Sequence, residues 1–165
     1  MINKKIHAGF NEQINHELYS AYLYLSMGAY FHSLNFEGFA SWMRVQAKEE
    51  MVHAMKFFDH LRDRDARVEL EAIDKPKAKW ISPLDAFKAA YEHEKFITGT
   101  INALYALAEK EADYPAKVLL DWFVKEQVEE EASASNVVQM LVRIKDSGAG
   151  LIMLNKELAK REFHG

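Results

Sequence analysis

The 165-residue chain contains no cysteine, which excludes disulfides, zinc ribbons, thiol chemistry and any rubredoxin-type iron site. That absence fits a reducing compartment, and a cytoplasmic location is expected. Proline is scarce: Pro76, Pro83 and Pro115 are the only three, each in a break between helical stretches or in a first turn. No apolar run approaches the roughly 18 residues a membrane span needs. The longest, near 21–31, is interrupted by Ser26. No secretory signal is expected either, because Lys4 and Lys5 precede only a short mixed stretch before Asn11 and Glu12. The formal charge of -4 disfavours general binding to nucleic acid or anionic membrane and suits cationic ligands. With 49% hydrophobic and 28% charged residues and no internal repeat, the chain suits one compact domain over residues 1–165.

What the chain does have is helical periodicity. Apolar residues recur in steps of three and four, predicting helices over about 3–32, 36–64, 83–110, 114–145 and 150–160. The expected fold is all-α: a four-helix bundle with a long crossover between helices 2 and 3 and a short fifth C-terminal helix. Asn35 is expected to cap the second helix, Ser82 the third with Pro83 following it, and Asp113 the fourth. Asp146, Ser147 and Gly148 should stop the fourth, with Gly148 left-handed. The link over 65–81 could extend about 55 to 60 Å, against about 43 Å for a helix of nearly thirty residues, so it can run the whole length of the bundle. The first helix carries a second apolar stripe, Leu18, Tyr22, Leu25 and Ala29, which implies a partner beyond its own domain.

Each long seam is broken near its midpoint by polar residues. The first runs Ile6, Phe10, Ile14, Glu17, Ala21, Tyr24, Gly28, Phe31, and the second Phe36, Phe39, Met43, Gln46, Glu50, His53, Phe57, Leu61. Glu94 interrupts the third, and Gln127 and Glu130 the fourth. Glu50 and His53, three residues apart, project from one side of their helix at the spacing of a metal clamp. In a bundle all midpoints meet at one level, so four carboxylates, an imidazole and an amide converge in an apolar core. Unpaired buried carboxylates are severely unfavourable, and no lysine or arginine occupies these seams. Shared protons or bound cations are the ways out, and a pair of divalent metals is the natural neutraliser. Oxygen-rich ligation with one imidazole favours iron or manganese over structural zinc, and suggests ferrous iron.

On these residues the chain resembles the bacterial and archaeal non-haem ferritins over essentially its whole length. Ferritin-like di-iron bundles carry a Glu on each of two helices plus two Glu-x-x-His motifs. Glu17 and Glu94 match the single carboxylates, and Glu50 to His53 matches one motif; the fourth helix departs with Gln127-x-x-Glu130, as in ferritins proper. The resemblance implies a first iron site of Glu17, Glu50 and His53, and a second of Glu94, Glu130 and the bridging Glu50, with Gln127 alongside. It implies a third iron site from Glu49, Glu126 and Glu129 with Glu130, Tyr24 as an electron donor, Trp122 as a weaker candidate for the same role, and no haem on Met51. The implied function is iron storage with ferroxidase activity: Fe(II) is oxidised to Fe(III) by oxygen or hydrogen peroxide and stored as a mineral inside a homo-oligomeric shell of twenty-four subunits, with neither nucleic acid nor membrane as a partner. Two rivals remain: a di-iron peroxidase or oxygenase related to the rubrerythrins, and a metal-free four-helix interaction domain. His93, beside Glu94, is read as an outer-face residue, and His7, His16, His32, His60 and His164 form no constellation.

Overall fold

In the computed structural model, residues 2–145 and 147–163 are described, and they form five helices and no strand. These are α1 (Lys4–Ser33), α2 (Glu37–Asp63), α3 (Pro83–Lys110), α4 (Tyr114–Ile144) and α5 (Gly148–Leu158). The expected stop at Asp146, and His164, fall outside the described residues. Three starts follow from side-chain caps. Asn3 accepts from the Lys5 amide, Ser82 from that of Asp85 with Pro83 next in line, and Asp113 from that of Ala116. Asp113 also accepts from Arg64 at 2.7 Å, which ties the end of α2 to the start of α4.

Two expected boundary signals act differently. Asn35 does not cap α2: at φ 59° it is the left-handed residue that ends α1, with its own amide donating to His32 O and the Phe36 amide donating to Phe31 O. A residue in that conformation is not in the extended geometry of an N-cap. The first turn of α2 is capped from afar, because Asn155 Oδ1 on α5 accepts from the Gly38 and Phe39 amides at 2.8 and 3.2 Å. Gly38 permits this approach, since a Cβ there would stand 1.6 Å from the Asn155 carbonyl oxygen. Gly148 is likewise not left-handed. Lys145 takes that role at φ 53°, Ser147 Oγ accepts from the Gly150 amide, and α5 therefore starts at Gly148.

The short turn after α1 makes α2 run back alongside it. The link then follows α1 in the same sense, antiparallel to α2: Asn11 Oδ1 accepts from the Glu69 amide, Asn15 donates to Ala72 O, and Ser26 Oγ donates to Lys77 O. Trp80 closes it against Tyr30, ring centroids 5.3 Å apart. The crossover thus spans most of the bundle, and α3 runs antiparallel to α1, with Phe87 against Phe31 and His93 against Ser20. The last long helix, α4, runs antiparallel to α2, with Phe123 stacked on Phe57.

The core is divided. One apolar cluster gathers Tyr24, Met27, Phe31, Phe39, Met43 and Phe87, with Leu154 and Leu158 of α5 packed into it. The other gathers Ile6, Phe10, Phe57, Leu61, Ile101 and Phe123 at the opposite end. Each fully buried aromatic contributes about 2 kcal/mol, and this burial offsets the polar layer between the two clusters. On the outside of α1, Tyr22 and Leu25 stay 50% and 52% exposed, so the second apolar stripe is uncovered in the single chain. No described helix is long and apolar enough to cross a membrane.

Candidate metal centre

The polar layer consists of the residues that interrupt the seams. Glu17, Gln46, Glu50, His53, Glu94, Gln127 and Glu130 are all buried, and Gln13 and Ser20 of α1 join them. Helical period delivers them there, each occupying a seam position at mid-helix.

Hydrogen bonds orient the acids. Gln13 Nε2 donates to Glu17 Oε1 at 2.8 Å, while Glu17 Oε2, fully enclosed, has no partner. Gln46 Nε2 donates to both Glu50 Oε1 and Glu130 Oε2, at 2.8 and 2.7 Å. The imidazole Nδ1 of His53 lies 3.2 Å from Glu50 Oε2 and 4.0 Å from Glu17 Oε2. Tyr24 donates its hydroxyl to Glu94 Oε1, and Gln127 Nε2 reaches Glu94 Oε2 at 3.3 Å.

The electrostatics follow from this crowding. Burial pushes the Glu17 and Glu130 carboxyls up to about 8, and the negative charge of Glu50 adds to the effect on both. Burial, with Glu50 and Glu130 beside it, also holds Glu94 well above the ordinary carboxylate range. For Glu50 burial acts in the same direction, but the bond and charge of His53 outweigh it and leave this acid below its ordinary value. For His53 burial would lower the imidazole; the Glu50 bond, with the charges of Glu50, Glu17 and Glu130, raises it to about 10. The layer therefore holds one internal ion pair, His53 with Glu50, among carboxyls that burial favours in the protonated form.

Among the described residues, two sets of donor atoms each lie within 4.8 Å of one another: Glu17, Glu50 and His53, all buried, and His53, Glu126 and Glu130. Glu94 belongs to neither, its carboxylate being turned toward Tyr24 and Gln127. The donor set suits a cation on chemical grounds, since a buried carboxylate oxygen without a hydrogen-bond partner is the group a metal ion would satisfy.

The ferritin-like domain profile matches residues 7–144. The chain belongs to the ferritin family. It is 39% identical over 163 residues to the bacterial non-heme ferritin of Staphylococcus saprophyticus, covering 99% of this chain and 98% of the relative. Identity to the Bacteroides fragilis non-heme ferritin is 38% over 161 residues, covering 98% and 100%. Among solved structures, an open-pore ferritin of the hyperthermophilic archaeon Archaeoglobus fulgidus superposes with a TM-score of 0.97 at 48% identity, covering 98% of this chain and all (100%) of that one. A humanized archaeal ferritin superposes at 0.99 and 47% identity, with 100% coverage of both chains.

Within this ferritin bundle the flanking residues diverge. Glu126 is half-buried and reaches the His53 and Glu130 set, whereas Glu129 is exposed. Glu49 is engaged by Arg161 in an ion pair. Trp122 packs edge-on against His53, centroids 5.5 Å apart, and Met51 is exposed. His93 is not an outer-face residue. It is partly buried between α1 and α3, bonded to Ser20 Oγ at 2.7 Å and packed against Tyr19 and Tyr24. Gln13, Ser20 and Arg161 escaped the reading of the seams. Gln13 lies one helical turn before Glu17, a spacing that could have revealed it; the contact of Arg161 with α2 has no local signal.

Proposed function

We propose that the protein stores iron and oxidises Fe(II) at this layer. The observation that carries the reading is the fully enclosed Glu17 Oε2, without a hydrogen-bond partner beside Glu50 and His53. Glu17, Glu50 and His53 hold one Fe(II), and Glu94, Glu130 and the shared Glu50 hold a second, with Gln127 orienting Glu94. Two Fe(II) each give up one electron. Oxygen takes both with two protons and leaves as hydrogen peroxide, or hydrogen peroxide takes both with two protons and leaves as water. Tyr24, whose hydroxyl donates to Glu94, lends one electron where oxygen is reduced beyond peroxide, its proton passing to Glu94, and a further Fe(II) returns that electron. Glu126 and Glu129, with Glu49 and Glu130, form a third position that takes Fe(III) on its way to a mineral.

The family resemblance and the exposed stripe of Tyr22 and Leu25 on α1 support assembly into a hollow shell of twenty-four subunits in the cytoplasm. One experiment tests site and assembly together: anomalous scattering at the iron edge from crystals soaked in Fe(II) without air, with particle mass measured in solution. Two iron peaks per chain at the polar layer in a multi-subunit particle are expected. A stable monomer, or a layer without iron, overturns the reading.

A further inference from the structure

Beyond α5, residues 159–163 turn back over α2. The placement is built into the fold, because α5 is docked by Asn155 onto the first turn of α2 at Gly38. Arg161 then lies over Trp42, its guanidinium carbon 4.3 Å from the ring centroid. Its Nη2 donates to Gln46 Oε1 at 2.7 Å and to Glu49. Its Nη1 is enclosed without a partner. Two residues on, Phe163 borders a pocket of about 130 Å³ with Glu49, His53, Trp122 and Glu126. Its His53 wall belongs also to the two donor sets of the polar layer.

Arg161 has donors only, so it fixes which way the Gln46 amide points. The amide oxygen faces the guanidinium, and the amide nitrogen faces Glu50 and Glu130. The same guanidinium is the ion-pair partner of Glu49, whereas Lys56, which lines the pocket with Glu49, lies over Trp122. A side chain from the C-terminal segment thus occupies Glu49 in the pocket wall and, through Gln46, orients Glu50 and Glu130.

We propose that Arg161 is a resident cation on Glu49, one wall of this pocket: an entering divalent ion takes Glu49 from Arg161, and the segment over residues 159–163 is released as the ion binds. Arg161 is thus a positioning residue and a competitor, making the C-terminal segment a gate set by cation occupancy. The proposal rests on the iron-handling reading above, and concerns how cations are admitted rather than whether they are bound.

The test uses the assembled, metal-free protein and Zn(II), which binds without redox chemistry. Calorimetric titration compares the parent with Arg161→Gln, Arg161→Lys and His53→Ala. Hydrogen exchange of the peptide covering residues 155–163 is followed with and without Zn(II). Arg161→Gln should bind the flanking Zn(II) about tenfold more tightly, the worth of one competing charge-assisted hydrogen bond. Arg161→Lys keeps the charge but loses the fork that reaches Gln46 and Glu49 together and the stacking on Trp42, so its affinity should fall between those of the parent and Arg161→Gln. In the parent, Zn(II) should speed exchange over 159–163. Parent exchange unaffected by Zn(II), or identical isotherms for the parent and Arg161→Gln with the His53-dependent ion still bound, overturns the gate alone. No Zn(II) uptake by any of the chains overturns the gate and the functional reading together. The exchange measurement on the parent decides the matter even if Arg161→Gln fails to fold.

Discussion

Replacing Glu17 with Gln keeps the side chain's shape and removes its acid, and the structure fixes the sign of the result. The folded carboxyl titrates at about 8 against a reference of 4.5. Between those values the folded protein holds a proton that the unfolded chain has released, so each rise in pH favours unfolding, and the loss is complete near pH 8. At pH 7 the gap is 7 − 4.5, about 2.5 pH units, and at 1.36 kcal/mol each that is about 3 kcal/mol of stability forgone by the parent. The amide has no proton to surrender and can donate toward Glu50 from the position of the unpartnered Oε2. Metal-free Glu17→Gln should therefore be more stable than the parent by about 3 kcal/mol at pH 7, and by less than about 1 kcal/mol at pH 5. Guanidinium unfolding in chelator, at matched protein concentration, measures both values. The same variant should lose its tightest divalent ion in a Zn(II) titration. A variant no more stable than the parent at pH 7, or a gap that fails to narrow at pH 5, refutes the electrostatic account.

His53→Ala removes the imidazole common to both donor sets and should slow the early phase of Fe(II) oxidation by more than about tenfold, since even outer-sphere losses cost that much; an unchanged initial rate with intact assembly would place the site elsewhere. Gly38→Ala puts a methyl 1.6 Å from the Asn155 carbonyl oxygen, so α5 must shift and its two capping bonds weaken, at a cost of about 2 to 4 kcal/mol; an unaltered melting temperature would show that α5 is not docked this way. Glu130→His partly restores the symmetric Glu-x-x-His pattern and should hold the second iron more tightly. Iron per subunit after gel filtration and the rate of a second Fe(II) addition report this, and shedding as fast as the parent would sink the idea that Glu130 keeps that position a transit point.

The polar layer was legible because its signal is a violation of period: Glu17, Glu50, His53, Glu94, Gln127 and Glu130 stand where the seam demands apolar residues, and all six are buried. Whatever depended on a choice among equivalent local signals was not legible. Asn35 suits a cap and a left-handed turn equally, and the turn prevails because the Phe36 amide closes onto Phe31. Gly148 is the easier left-handed residue, yet Lys145 takes that conformation and leaves Ser147 free to start α5. His93 looked solvated by its angle from the seam, but α1 packs closely enough on α3 for Ser20 to reach it. Arg161 was invisible for a different reason. Its meaning lies in Glu49 and Gln46, more than a hundred residues earlier, and no periodicity connects a tail to a distant helix.

Charge balance in the layer bears on why iron is cargo here and not a structural element. Before a cation binds, His53 pairs with Glu50 and burial favours the protonated forms of Glu17, Glu94 and Glu130, a state whose net charge is zero. With four carboxylates ionised and His53 neutral, the charge would be four negative, which two Fe(II) cancel. On the proposed reading, loading exchanges four protons for two divalent ions between two neutral states, so the bundle stays folded at either end, unlike domains whose fold depends on metal. Affinity must then rise steeply with pH. Oxidation breaks the balance, because two Fe(III) bring two further positive charges that the four carboxylates cannot cancel. The product is thereby driven toward added oxide or hydroxide and toward the next acids outward. Those are Glu126, which shares His53 and Glu130, and Glu49, once Arg161 has let it go.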